Sequence, residues 1–189
     1  EIGSGLVGSE MCIRDRNYDV DQYIELYNNS DQAVSTENLY IALLETESTP
    51  WFADEKEDYI YAKDVFQLPT REVGPGESIL IARQAINHTI DAPLSLDLSN
   101  ADYEVKAVNK PQNALVEQLP HVYKAFPTID WLNMVVGGGN QLILFRYEEN
   151  IQDLPKKQKP NASASSQWYL QIKTKMVLDG VEFLKYNAQ

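Results

Sequence analysis

The chain has 189 residues, 43% of them apolar, and a formal net charge of −12. That composition supports one packed domain with an appendage and excludes wholesale disorder. The acidity argues against nucleic acid and anionic membrane surfaces as partners, because both repel carboxylates. No run reaches the roughly 18 apolar residues that span a bilayer, and the longest mixed run, Met134 to Tyr147, is interrupted by Gly137, Gly138 and Gly139.

Taken in order, the first sixteen residues, EIGSGLVGSEMCIRDR, show no sustained period of 2 or 3.6 and no cap or turn pattern. They resemble the peptide encoded when a sequencing adapter is translated in frame, closely so over Gly5 to Arg16, and are expected to lie outside the natural fold. Cys12 is the one cysteine, so the remainder has neither a disulfide nor a Cys-ligated metal.

Asp21 to Tyr27 alternates as a strand, with Ile24 and Leu26 on one face. Asn28 to Asp31 is a turn cluster. Asn38 to Leu44 is apolar on both faces and reads as a central strand. Glu45 to Glu57 is an acidic insertion holding Trp51 and Phe52, and Tyr59 to Leu68 is extended. Gly74, Pro75 and Gly76 mark a tight turn before the short strand Ser78 to Ala82. Arg83 to His88 is expected to form one helical turn, and Tyr103 to Val108 alternates again.

Trp131 to Val136 and Gln141 to Tyr147 flank a glycine run and read as a hairpin. Pro155 to Ser166 (PKKQKPNASASS) is an exposed loop, Trp168 to Lys173 a strand, and Lys175 to Leu184 a short helix with Val177, Leu178, Val181 and Leu184 on one face. Many short strands at regular spacing predict a mostly β domain of sandwich or barrel type. Ile24, Leu26, Leu39, Ile41, Leu80, Val105, Leu142 and Leu144 are its expected core.

Four segments in order, DQYIELYNNSD (Asp21 to Asp31), ENLYIA (Glu37 to Ala42), VGPGESILIA (Val73 to Ala82) and LDLSNADYEV (Leu96 to Val105), resemble the lamin-tail domain, an immunoglobulin-like β-sandwich. The departures are Asn38, where that family usually has Gly, and a longer Glu45 to Leu68 segment. The chain is similar in particular to uncharacterised Bacteroidota surface lipoproteins with a lamin-tail-like domain and a C-terminal extension. The resemblance implies an immunoglobulin-like, lamin-tail-type sandwich over residues 17–150, followed by a loop and an incomplete extension over 151–189. It also implies an extracytoplasmic place, at the cell surface or outer membrane, with a lipid anchor on an N-terminus missing from this chain.

No arrangement of residues assembles a known active site. His88 and His121 stand in no hydrolase motif and read as surface or loop histidines. Asp54, Glu55, Glu57 and Asp58 read as a solvated charge run. No cofactor motif is present. Only oxygen ligands are plentiful, so calcium is the metal the composition would serve. Its candidate ligands are Asn17, Asp19 and Asp21, or Asp97, Asn100 and Asp102, and these equally suit strand caps and Asx turns. Trp51, Phe52, Tyr59 and Tyr61 are the candidate ligand contacts, as a carbohydrate-stacking platform or as core packing. The expected function is a non-catalytic surface module that binds protein or glycan, accessory to nutrient uptake. The alternative is an accessory domain of a larger secreted hydrolase.

Overall fold

The alternation in YIELYN becomes strand β2 (Tyr23–Asn28), which buries Ile24, Leu26 and Asn28 and leaves Tyr27 exposed. The computed structural model describes residues 4–7, 20–45, 58–105, 113–127 and 140–183. They are mostly β, with open sheets, and fall into two compact units. No helix among them is long and apolar enough to cross a membrane.

The first unit holds a five-stranded sheet in the order β1-β2-β7-β8-β9, where β1 is Ser4–Val7, β7 Ser78–Ala82, β8 Tyr103–Glu104 and β9 Glu117–Gln118. β2 and β7 are antiparallel, with Leu26 opposite Ile79. The β7–β8 and β8–β9 pairs are parallel, so the sheet is not built from hairpins alone. A two-stranded clasp joins β3 (Val34–Ser35) to β6 (Glu72–Val73).

Asn28 closes the end of β2. Its side-chain amide donates to the carbonyls of Gln32, Val73 and Gly74 at 2.8, 2.9 and 3.1 Å. Its Oδ1 accepts from the Ser30 amide and hydroxyl at 3.0 and 2.7 Å. The residue is 3% exposed, so water does not replace these partners. The facing turn closes through Glu77 N–H to Gly74 O, 3.1 Å. Pro75 suits its second position, and Gly76, at φ 74°, supplies the left-handed conformation at its third. Nearby, the Thr36 hydroxyl donates to Pro69 O and accepts from the Arg71 amide. Asp102 pairs with Arg71 at 2.7 Å and accepts from the Leu80 amide at 2.8 Å.

The second unit holds a seven-stranded sheet. Six strands run in the order β12 (Lys156–Lys157), β13 (Tyr169–Lys173), β5 (Tyr59–Gln67), β4 (Leu39–Leu44), β11 (Asn140–Arg146) and β14 (Val177–Phe183), and β10 (His121–Lys124) also pairs with β5. As expected for a central strand, β4 is buried at every position. A bulge in β5 sets Leu43 opposite Asp64 and Leu44 opposite Ala62, which brings Ala62 and Val65 to one face. There they pack with Tyr40, Ala42, Leu44, Ile143, Phe145, Leu170 and Ile172. Asn38, at φ 58°, precedes β4. The lamin-tail pattern has Gly at this point, and Asn is among the few side chains that tolerate the left-handed region.

Several expectations change. The helix expected at Lys175 to Leu184 is a single 3-10 turn, Thr174–Met176, followed by strand β14 on β11. VLDGVEF alternates with period 2 as well as with helical spacing, and the edge of β11 supplies the hydrogen-bond partners. Gly180 allows that approach, since a Cβ there would stand 3.2 Å from the Leu142 carbonyl. The segment read as an extension therefore contributes three strands to this sheet. Ser4–Val7, expected to stand outside the fold, pairs with β2 at the sheet edge, where unpaired N–H and C=O groups accept any proline-free extended segment.

Seven of the eight expected core residues are buried, whereas Leu80 is half-buried and Ile79 and Ile81 take the buried positions. Both faces of β7 are covered, because Leu80 packs against a small-residue cluster of Ala82, Ala85, Leu98 and Ala101. The helical turn expected at Arg83 to His88 starts instead at His88, capped by Asn87. Trp131 to Val136 and the glycine turn lie outside the described residues. β11 pairs with β4 and β14.

Replacing Asn28 with Ala removes one donor from each of the Gln32, Val73 and Gly74 carbonyls and the shared acceptor of the Ser30 amide and hydroxyl. Urea unfolding should show a loss of about 2–4 kcal/mol, and a loss below about 0.5 kcal/mol would show that the latch does not hold the turns.

Candidate functional site

Of the four candidate ligand contacts, Trp51 and Phe52 lie outside the described residues. Tyr59 and Tyr61 sit on β5, but not as a bare platform. Tyr61 is 6% exposed and packs with Ala125 and Tyr169, with Tyr59, Tyr123 and Phe126 against them. The lysines of PKKQKP stand over these rings. Lys156 Nζ is 5.6 Å from the Tyr123 ring centre, Lys157 Nζ 6.0 Å from Tyr61 and Lys159 Nζ 5.9 Å from Tyr169. Each contact contributes about 0.5–1 kcal/mol at an exposed site.

The loop carrying the lysines is tied to itself. Gln158 Nε2 donates to the Ser163 and Ser166 carbonyls at 3.2 and 2.8 Å, and the Ala162 amide to the Lys159 carbonyl. The Tyr123 hydroxyl donates to the Trp168 carbonyl at 2.6 Å, and the Trp168 side chain stands out from this edge, 48% exposed. Lys159 also pairs with Glu45 at 3.4 Å.

Both histidines, expected near the surface, are drawn inward. His88 is fully buried, with Nε2 2.9 Å from the Gln84 carbonyl. His121 Nε2 lies 3.0 Å from Asp64 Oδ1, with side-chain exposures of 11% and 5%, and its ring stacks on Phe66 at 4.1 Å between centres. A carboxylate holding an imidazole is the orienting half of a nucleophilic triad. Here the other ring nitrogen, Nδ1, is buried and has no hydrogen-bond partner, so it faces packed protein and not a cleft. The pair is structural.

Of the candidate calcium ligands, Asp21, Asp97 and Asp102 are engaged within the protein, and Asn100 lies exposed in the turn between the last two. Asp21 accepts from the Ser95 hydroxyl at 2.6 Å. Asp97 accepts from the Ser99 amide and hydroxyl, bonds that hold its carboxyl below the usual range. Asp102 serves Arg71 and Leu80. Asn17 and Asp19 lie outside the described residues. Among the described residues, no group of three or more His, Cys, Asp or Glu is gathered to hold a metal.

A cleft of about 410 Å³ opens in the second unit where β11 ends and β14 begins, lined by Arg146, Tyr147, Glu148, Glu149, Lys175, Met176 and Leu178. The Asn38 turn positions it. The Tyr147 amide donates to the Asn38 carbonyl at 3.1 Å, and Arg146 Nη1 donates to the Glu37 carbonyl. The Tyr147 hydroxyl donates to Glu149 Oε2 at 3.2 Å. Desolvation, reinforced by the Glu149 carboxylate, raises the phenol above its ordinary value, so Tyr147 stays a neutral donor. Met176 and the exposed Leu178 give the shallow cleft apolar surface, and Arg146, Glu148, Glu149 and Lys175 give it charge. The lining couples a strand end to residues assigned in sequence to a helix. The available signal was Glu148-Glu149 directly after an alternating strand.

A family model described as "Protein of unknown function (DUF4876)" matches residues 74–189. The crystal structure of a DUF4876 family protein from Bacteroides thetaiotaomicron VPI-5482 is similar, with a TM-score of 0.75 and 26% identity. That similarity covers 96% of this chain and 52% of the other, so the chain spans about half the length of the solved relative. No curated protein matches the sequence.

Asp64→Ala leaves both nitrogens of a largely buried imidazole without a partner, and denaturant unfolding should show a loss on the order of 3 kcal/mol. The double variant Asp64→Leu with His121→Phe should recover most of it, since a phenyl ring keeps the stack on Phe66. A single variant as stable as the parent would contradict the structural role.

Proposed function

The chain belongs to the DUF4876 family of proteins of unknown function, and from that premise we propose that it is a non-catalytic binding module at the cell surface or outer membrane. Its ligand is a protein or glycan, and its role is accessory to nutrient uptake. The observation that carries this reading is the cleft at Arg146 to Glu149 and Lys175 to Leu178. Apolar surface beside oriented donors and acceptors suits recognition. Arg146, Tyr147 and Glu149 are held by the protein's own hydrogen bonds, and the imidazole chemistry of the chain is buried elsewhere.

The immunoglobulin-like, lamin-tail type of fold belongs to the same proposal. It is supported by the order of the four motif segments, by Asn38 adopting the glycine conformation, and by the work Asn28 and Asp102 do within two of those motifs. A lipid anchor on an upstream segment follows from the same resemblance. The reading calls on no metal or cofactor. The second reading, an accessory domain of a larger secreted hydrolase, is favoured by one observation: the solved relative is about twice as long as the region it shares with this chain.

Binding to immobilised oligosaccharides and peptides tests the proposal. A ligand should be retained and recovered chemically intact. Tyr147→Ala and Leu178→Ser should each weaken it by about fivefold or more, with melting temperatures unchanged. Turnover of the ligand, or retention indifferent to both substitutions, would overturn the reading.

A further inference from the structure

Charge is unevenly placed in this acidic chain. Strands β5, β10, β12 and β13 carry Lys63, Lys124, Lys156, Lys157 and Lys173, and their one carboxylate is Asp64, which is buried against His121. Lys159 follows in the adjoining loop. Fields are screened over about 8 Å at physiological ionic strength. Glu45, 3.4 Å from Lys159, lies within that distance, and the other lysines of this edge still outnumber it, so an anion here meets them more than the distant carboxylates behind the net charge of −12.

Three of these ammonium groups are seated over tyrosine rings. Seating limits the rotamer freedom that a lysine would otherwise lose on binding. Two of the ammoniums are shared with other partners, since Lys156 Nζ also donates to the Gln152 carbonyl at 3.3 Å and Lys159 Nζ pairs with Glu45. β12 and β13 are paired so that Lys157 lies opposite Tyr169. Trp168, the residue before Tyr169, presents a half-exposed side chain, and its backbone carbonyl is held by Tyr123. Cations and an exposed aromatic ring thus belong to the same edge, at the opposite end of the strand order from the cleft.

We propose that this edge binds an acidic glycan, a sugar chain bearing carboxylate or sulfate groups. The lysines take the anionic groups, and the indole of Trp168 takes the apolar face of a sugar ring. Lysine on an edge strand also discourages sheet-to-sheet pairing, but that task requires neither ring-seated ammoniums nor an exposed indole. A membrane surface would require an apolar face to insert, and this edge exposes a single large ring. Nucleic acid offers phosphates at far higher density, a charge for every 1.7 Å or so of duplex, than a short row of lysines with Glu45 among them can match.

Gel electrophoresis of the full chain through polygalacturonate, chondroitin sulfate or neutral dextran tests the proposal. Poly-glutamate, a single-stranded oligonucleotide and phosphatidylserine-containing vesicles serve as competing probes. At least one acidic glycan should retard the protein, and dextran should not. Replacing Lys156, Lys157 and Lys159 together with Gln should weaken binding about tenfold, and Trp168→Ala about fivefold or more. Melting temperatures identify any variant that fails to fold, and Lys156→Glu, at an exposed position, then carries the test. Retardation by no acidic glycan, or an unchanged affinity in folded lysine variants, overturns the proposal. So does equal binding to poly-glutamate, oligonucleotide or vesicles with Trp168→Ala silent, because the edge is then an anion patch without sugar recognition.

Discussion

The side-chain amide of Asn28 is the interaction on which the first unit depends. Three carbonyls from two separated turns converge on one buried NH₂ group, and its oxygen holds the first of those turns again through Ser30. A buried amide is costly unless every group is paired, so the arrangement leaves the turns little latitude. It fixes where β2 ends and where the Gly74 to Glu77 turn begins. That in turn sets the β2–β7 register, and with it which side chains of β7 are buried.

The second unit depends on β4. Its six residues are buried, so polar chemistry is displaced outward to the ends of the strand order. The bulge in β5 separates Ala62 and Val65, which enter the core, from Asp64, which anchors His121. At one end, β12 and β13 place lysines over tyrosines. At the other, β11 and β14 enclose the mixed-charge cleft. Both surfaces follow from the same constraint, a central strand with no polar side chain inward and two edges that must end in solvent.

Much of the first unit was legible in sequence because its signals are local. Alternation gave β2, and Pro-Gly gave the turn at Gly74 to Glu77. The Asn28 to Asp31 cluster marked a turn, although nothing local shows that Asn28 reaches Val73 and Gly74, 45 and 46 residues away. Leu80 was placed on the wrong face because a run such as SILIA, covered on both sides, has no alternation to set its register. Lys175 to Leu184 satisfied both periods, and only the edge of β11 decided between them. The cleft was therefore hidden, since three of its seven lining residues lie on that segment. Tyr61 shows the converse. Its aromatic character suits packing and ligand contact alike, and what the structure shows is packing, with burial beside Tyr169 and a lysine over the ring.

The central claim is that recognition resides at the two ends of the seven-stranded sheet, while the histidines and the acidic turns of the chain serve the fold. Amide chemical-shift mapping of the isotopically labelled chain, titrated with an acidic oligosaccharide and with neutral ones, tests it most directly. The account predicts that perturbations gather at Lys156 to Lys159 and Trp168 for the acidic ligand, and at Arg146 to Glu149 and Lys175 to Leu178 for any ligand of the cleft. Perturbations centred on His88, on His121 with Asp64, or on the Asp97 to Asp102 turn would contradict it.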